Sequence, residues 1–188
     1  RSRQAYFANI SYLDDKIGEI IDALEATRQA DNTIILFCSD HGEMLGERGL
    51  WFKMSFREGS ARVPLMICAP GLAPRHVEAP VSNVDVAPTL CDLAGITLAG
   101  ISQWMDGISL LPLARGEKRT APVAIEYAAE ASIAPMVSLV HEGYKFNHCE
   151  ADPPQLFELA ADPHEANNLA TDSDPAHAAR VAQFMAMV

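Results

Sequence analysis

The sequence predicts an α/β fold, because a long amphipathic helix leads directly into a continuous apolar strand. Between residues 5 and 28, isoleucine and leucine recur every three or four positions, which is typical of a helix that buries one face. Residues 33–38 form an unbroken apolar and β-branched run, which is typical of a strand covered on both faces in a parallel sheet. We therefore expect the first half of the chain to belong to a parallel-sheet α/β core.

Two further elements continue this core. Residues 63–68 predict a second strand, which lies near a sheet edge or starts after Pro64, because proline cannot donate to a central ladder. Asp85 is placed to cap a helix that runs to about Leu93, and Gly95 is placed to end it.

Beyond about residue 112 the pattern changes to short strands. Glu142 and Gly143 predict a tight turn between two of them, and Asp174 with Pro175 predicts the start of a terminal helix. The strand candidates are residues 122–127, 136–141, 144–149 and 155–159. We therefore divide the chain into residues 1–112, part of the α/β core, and residues 113–188, a small antiparallel subdomain with a terminal helix.

Composition excludes several classes of function. The net charge of -11 and the absence of a basic stripe argue against nucleic-acid binding. No apolar run approaches the roughly 18–20 residues that a membrane span needs, so no membrane partner is expected. The first residues do not resemble a signal peptide. The four cysteines fit no zinc pattern and predict reduced, buried side chains, which favours a cytoplasmic location.

The polar segment after the first strand carries the most chemistry. Asp40 and His41 follow the strand directly, at the edge where α/β sheets place their ligands, and both side chains can coordinate a divalent ion. Lys53 can bring a positive charge to an anion held by that ion. From these residues alone, an Asx turn with a surface histidine is an equal alternative to a metal site. Lys53 taken alone is more typical of a solvated surface lysine.

Further motifs follow one another along the chain. They are Ser39-Asp40-His41-Gly42, Gly49-Leu50-Trp51-Phe52-Lys53, Arg62-Val63-Pro64-Leu65, Val84-Asp85-Val86-Ala87-Pro88-Thr89-Leu90, Tyr144-Lys145-Phe146, Pro154-Gln155-Leu156-Phe157-Glu158-Leu159 and Asp162-Pro163-x-Glu165-x-x-Asn168-Leu169. Through these motifs the chain resembles the type I sulfatases of the alkaline-phosphatase superfamily and their phosphonate-hydrolase relatives over nearly its whole length, and among them most resembles the choline-sulfatases. The resemblance favours the metal-binding interpretation of Asp40 and His41.

The resemblance implies an alkaline-phosphatase-like sandwich, of which this chain is the C-terminal portion, and a sulfuric ester hydrolase. Asp40 and His41 correspond to metal ligands, with His41 also in the catalytic centre, and the ion is expected to be Ca²⁺. Many sulfatases have asparagine at the position of His41, so this chain departs from that pattern at one ligand. Lys53 corresponds to the catalytic lysine that contacts the sulfate oxygens.

The resemblance also implies that part of the site lies outside these residues. The family's nucleophile is a formylglycine made from cysteine in a Cys-x-Pro/Ala-x-Arg context, and none of the four cysteines fits. Cys68-Ala69-Pro70-Gly71-Leu72 departs from it at Leu72. We therefore expect the nucleophile upstream of Arg1, no activity from this chain alone, and a homo-oligomeric full-length enzyme.

The substrate implied is a small sulfate ester, choline sulfate first. Glu126 and Glu130 lie in a segment similar to an acidic stretch of choline-sulfatase and are candidates to pair with the choline head group. Three alternatives stay open: an arylsulfatase, a phosphonate or phosphate monoester hydrolase on the same scaffold, and a non-catalytic remnant that serves as a binding module.

Overall fold

The chain folds around two separate antiparallel sheets. The computed structural model describes residues 1–97, 99, 102–129 and 132–188. The helices are α1 (Ser2–Ala26), α2 (Glu58–Ala61), α3 (Val86–Leu93), α4 (Leu111–Ala114) and α5 (Pro175–Met185). The strands are β1 (Ile35–Cys38), β2 (Leu65–Cys68), β3 (Val123–Tyr127), β4 (Met136–His141), β5 (Tyr144–Cys149) and β6 (Asp152–Glu158).

The first sheet pairs β1 with β2 in antiparallel orientation, with Ile35 opposite Cys68 and Cys38 opposite Leu65. The prediction of a parallel arrangement is therefore wrong for these two strands. A parallel pair needs a crossover that returns the chain to the same end of the sheet, usually through a helix. The segment between β1 and β2 contains only short helical turns, so it reverses the chain direction instead.

The first sheet and α1 are less buried than their sequences predict. No residue of α1 is buried, although its apolar positions have helical spacing. Phe37, Cys38 and Cys68 are exposed, so the expectation of a doubly covered strand and of buried cysteines fails here. An amphipathic face is buried only where another layer packs on it, and the described part of this chain supplies no such layer.

All four cysteines are nevertheless free, as predicted. Cys91 is half-buried and Cys149 is buried in the second sheet.

The second sheet is a four-stranded meander in the order β3-β4-β5-β6. The predicted turn at Glu142 and Gly143 is confirmed: both have positive φ, 48° and 81°, as a type I′ turn requires. Pro153 and Pro154 lie in β6, an edge strand, where a missing N–H is tolerated.

Helix α5 covers one face of this sheet and forms a core with it. Asp174 caps α5 by accepting from the N–H of Ala176 at 2.8 Å, as the sequence predicts. The aromatic rings of Phe146 and Phe184 stack with centroids 5.4 Å apart, and the core is completed by Leu139 and Leu156. This unit therefore has a hydrophobic core of its own.

Asp85 acts differently from the predicted helix cap. Its side chain is fully buried and accepts from the N–H groups of Ser82 and Ile108, each at 2.9 Å, while Arg119 donates to it at 2.7 Å. Ser82, not Asp85, uses its side chain to cap the turn before α3, and Gly95 ends α3 with φ +69° as predicted. The Asp85–Arg119 ion pair crosses the division proposed at residue 112, which itself stays a prediction.

Within the described residues, no helix has the length and apolarity needed to cross a membrane.

Candidate functional site

Asp40 and His41 follow β1 after one intervening residue, Ser39, and their side chains approach each other. Oδ2 of Asp40 lies 3.3 Å from Nε2 of His41. Asp40 is largely exposed, with 83% of its side chain accessible, whereas His41 is half-buried. The two donor atoms are therefore close enough to serve one ion. These two residues are called the ligand pair below.

One ring nitrogen of His41 is engaged by the backbone. Its Nδ1 lies 2.8 Å from the carbonyl oxygen of Gly42. Because a carbonyl oxygen can only accept, Nδ1 carries a hydrogen, and Nε2 is the nitrogen that faces Asp40. A metal-bound histidine is oriented in the same manner, with its second nitrogen bonded to a backbone carbonyl.

The carboxyl group of Asp40 favours its charged form. Its pKa lies below the ordinary value of 3.8, first because the backbone N–H of His41 donates to the carboxylate, and also because His41 and Lys53 contribute positive charge. Desolvation, the second-largest influence, acts in the opposite direction. The charge of Lys53 is the smallest of these influences on the pKa of Asp40.

A backbone hydrogen bond next to the ligand pair brings two chain segments so close together that residue 42 must be glycine. The N–H of Gly42 donates to the carbonyl of Ser60 at 2.7 Å. A Cβ on Gly42 would lie 2.1 Å from the carbonyl oxygen of Gly59, which is well inside any possible contact. Glycine at this position therefore lets residues 39–62, called the site loop below, fold back onto itself.

Lys53 is presented by a strained turn of the site loop. Phe52 has φ 70°, a left-handed conformation that is costly for a bulky residue. Two hydrogen bonds hold it: its N–H donates to Oε1 of Glu43 at 2.5 Å, and its carbonyl accepts from the N–H of Met44 at 3.0 Å. Because Phe52 directly precedes Lys53, this conformation determines the direction in which the exposed lysine leaves the loop.

The ligand pair fits part of a divalent metal site. A carboxylate and an imidazole can both reach one divalent ion. Calcium takes six to eight oxygen ligands at 2.3–2.6 Å, a preference that the Asp40 carboxylate meets and the His41 nitrogen does not. Across the described ranges, no three His, Cys, Asp or Glu side chains gather into one cluster. The residues therefore fit as two ligands of a larger set.

Of the two substrate candidates, Glu126 belongs to the second sheet and not to the site loop. Glu126 lies exposed on β3, an edge strand of the second sheet, opposite Val137. Glu130 lies outside the described residues. Their assignment to a choline head group therefore stays a prediction.

The site loop depends on residues that sequence reasoning did not assign to the site. Ser60, buried, donates through Oγ to the carbonyl of Lys53. Asn83 donates through Nδ2 to the carbonyl of Ser39 at 2.8 Å, just before Asp40. Lys145 and Glu165 are buried and contact the loop from the C-terminal part. The only signal for these last two was their place in the quoted motifs.

Comparison with known proteins identifies the relatives of this chain. Residues 1–96 match the sulfatase family. The chain is 63% identical over 170 residues to the choline-sulfatase of Rhizobium meliloti (strain 1021), in an alignment that covers 90% of this chain and 33% of that protein. It is 39% identical over 183 residues to the arylsulfatase K of Gallus gallus, in an alignment that covers 90% of this chain and 34% of that protein.

A solved structure supports the same fold. The phosphonate monoester hydrolase of Agrobacterium radiobacter aligns with a TM-score of 0.78 at 31% identity, over 95% of this chain and 38% of that one. The predicted alkaline-phosphatase-like α/β fold with an antiparallel C-terminal part is confirmed by this likeness. The chain spans about a third of the length of the curated relatives that it matches.

Proposed function

This chain belongs to the sulfatase family, and from that premise we propose that it is the C-terminal part of an enzyme that hydrolyses a sulfate monoester, choline sulfate in particular. The observation that carries the proposal is the 3.3 Å approach of the Asp40 and His41 donor atoms. The positive charge of Lys53 contributes to the lowered pKa of Asp40. A divalent ion held by the ligand pair, together with the Lys53 ammonium, would suit an anionic group such as a sulfate ester.

Each residue of the site has a distinct task in this proposal. The ligand pair would hold a divalent cation through Oδ2 of Asp40 and Nε2 of His41, with further ligands from elsewhere. When bound, such a cation neutralises negative charge on the oxygens of the ester. The ammonium group of Lys53 binds the same oxygens from the loop side, so charge that develops in the transition state meets a donor already in place.

The nucleophile is proposed to lie outside this chain. None of Cys38, Cys68, Cys91 and Cys149 is followed by the residues that formylglycine formation needs. Cys68, the nearest in sequence context, ends β2 and is exposed, but Leu72 stands where arginine is required. The chain would therefore contribute charge stabilisation and substrate binding, not the attacking group.

The exposed apolar surface supports this partial role. Helix α1 leaves Phe7, Ile10, Leu13 and Ile20 between 48% and 63% exposed. Apolar side chains in a helical stripe are typical of a face packed on another layer. We propose that the remaining two-thirds of the sulfatase domain covers this stripe.

The choice of choline sulfate rests on the 63% identity to a choline-sulfatase. A quaternary ammonium needs carboxylate or aromatic partners, and Glu126 and Glu130 remain the proposed carboxylates. A phosphonate or phosphate monoester hydrolase is the second candidate, favoured by the structural likeness to the Agrobacterium radiobacter enzyme.

A substrate comparison tests the proposal. The complete polypeptide that carries these residues should be assayed with choline sulfate, 4-nitrophenyl sulfate and phenyl phenylphosphonate at equal concentrations. We expect choline sulfate to have the highest kcat/KM, loss of all turnover with excess EDTA, and recovery with calcium. Glu126→Gln should raise KM for choline sulfate about tenfold and leave 4-nitrophenyl sulfate unchanged, since it removes one charge partner of the head group.

Glu142→Gln, an exposed carboxylate in the turn between β4 and β5, serves as the matched control and should behave as wild type. A preference for phenyl phenylphosphonate, a phosphonate monoester, would instead support the second candidate. Absence of hydrolysis of all three substrates would contradict both and favour a binding module.

A further inference from the structure

We propose that Lys145 and Glu165 are positioning residues, through which the C-terminal sheet unit sets the position of Lys53 and of the ligand pair. This inference rests on the proposed function for its catalytic consequence, though not for its structural one. Neither residue reaches the site itself. Both act through α2, the short helix inside the site loop.

The contact between the two parts of the chain is a buried ion cluster. The side chain of Lys145, on β5, is 1% exposed and donates to the carbonyl of Phe56 at 2.8 Å and to Oε1 of Glu58. Oε1 of Glu165, itself 2% exposed, lies 3.1 Å from the same ammonium group. That last contact is an ion pair without hydrogen-bond geometry. A lysine so deeply buried needs these partners to remain charged.

Glu165 binds the site loop on its other side as well. Its Oε2 accepts from the N–H of Glu58 at 2.9 Å, and its carbonyl accepts from Nη1 of Arg57 at 2.6 Å. The guanidinium of Arg57 also stacks over the ring of Phe157, 5.0 Å from the ring centroid. Residues 56–58 are therefore held by hydrogen bonds and ion pairs to Lys145 and Glu165.

Glu165 is itself held in a strained backbone conformation. Its φ is 53°, in the left-handed region that few non-glycine residues adopt. The turn is supported by Asp162, whose carboxylate accepts from the N–H of Asn167 at 2.8 Å. Such strain persists only where the surroundings determine it, and it is concentrated at positions with a task. The turn that contains Glu165 therefore brings its buried carboxylate to the site loop.

Ser60 connects α2 to Lys53 and to the ligand pair. It lies on α2, one turn from the residues that Lys145 and Glu165 hold, and its Oγ donates to the carbonyl of Lys53. Its own carbonyl accepts from the N–H of Gly42, the residue after the ligand pair. One buried serine thus connects both halves of the charge-stabilising site to α2. A shift of α2 would move Lys53 and the ligand pair relative to each other.

Hydrogen exchange in the complete polypeptide tests the structural part. Glu165→Gln keeps an acceptor for the N–H of Glu58 but removes the charge that pairs with Lys145, and it should raise exchange in peptides covering residues 53–62 about tenfold. Peptides from β4 and β5 should keep their protection. Lys145→Met is the second variant and should give the same local pattern wherever it folds. The matched control, Glu142→Gln, breaks the exposed pair of Glu142 with Arg180 and should leave residues 53–62 unchanged.

A double-mutant cycle tests the catalytic part. We expect Glu165→Gln to lower kcat about tenfold with little change in KM, and to have almost no effect in a Lys53→Ala background, because it acts through Lys53. Full additivity of the two substitutions, or unchanged exchange in residues 53–62, would overturn the proposal. If the wild-type polypeptide hydrolyses no sulfate ester, the proposed function fails, while the exchange result still decides whether Lys145 and Glu165 position residues 53–62.

Discussion

Gly42 follows the ligand pair directly, and its N–H donates to the carbonyl of Ser60 at 2.7 Å. That bond brings the two chain segments so close that a Cβ on Gly42 would lie 2.1 Å from the carbonyl oxygen of Gly59. The obstructing atom belongs to backbone, which cannot rotate away as a flexible side chain can. The close approach of the ligand pair to α2 therefore depends on the lack of a side chain at Gly42.

Gly42→Ala should therefore destabilise the chain by about 1–3 kcal/mol, the usual cost of overpacking, and should displace the ligand pair. Gly18→Ala is the matched control: it lies in α1 with no heavy atom within 4 Å of the added Cβ, and it should stabilise by about 0.5–1 kcal/mol. Urea unfolding of both variants measures the difference. Equal stability of the two would show that the close approach at Gly42 does not exist.

The individual site residues were only partly predictable. Asp40, His41 and Lys53 could be found because they are near in sequence and belong to a recognisable motif. Lys145 could not be assigned, since its partner Glu58 lies 87 residues away and a lone lysine in a strand pattern carries no sign of burial. Pairing of distant charges depends on how the two parts of the chain pack, which no local pattern records.

At the scale of elements, prediction succeeded where the chain closes on itself locally. The bounds of β4 and β5 and the turn between them were predicted residue for residue, because a tight turn fixes the register of a hairpin. The orientation of β1 and β2 was predicted wrongly. Continuous hydrophobicity reports how a strand is covered in the complete fold, not which neighbour it pairs with in this chain.

Helix α5 offers a test at this scale. Phe184 is 1% exposed and fills the core beneath the second sheet, so Phe184→Ala should cost about 3–5 kcal/mol in the free energy of unfolding. Met185→Ala, next in sequence but exposed, should change it by less than about 0.5 kcal/mol. Denaturant unfolding followed by circular dichroism compares them. A similar loss in both variants would mean that α5 does not pack on the sheet as described.

At the scale of the whole molecule, the chain combines a self-contained unit with an uncovered one. The second sheet and α5 bury their apolar side chains against each other, whereas α1 and the first sheet leave theirs accessible. The chain spans about a third of its curated relatives, and the incomplete ligand set agrees with that share. The proposed activity is accordingly a property of a larger assembly, to which these residues contribute the ligand pair and Lys53.

The most direct test of this account is the initial rate of sulfate release from choline sulfate, compared among the complete polypeptide, its Lys53→Ala variant and residues 1–188 alone. The account predicts turnover by the complete polypeptide and a loss of about 10²–10³ in kcat/KM for Lys53→Ala with an unchanged circular dichroism spectrum. Lys53→Arg should not restore the rate, because a planar guanidinium does not replace a compact ammonium. Residues 1–188 alone should release sulfate only at background rate. Turnover by residues 1–188 alone, or wild-type activity in Lys53→Ala, would contradict the claim that this chain supplies charge stabilisation to a nucleophile held elsewhere.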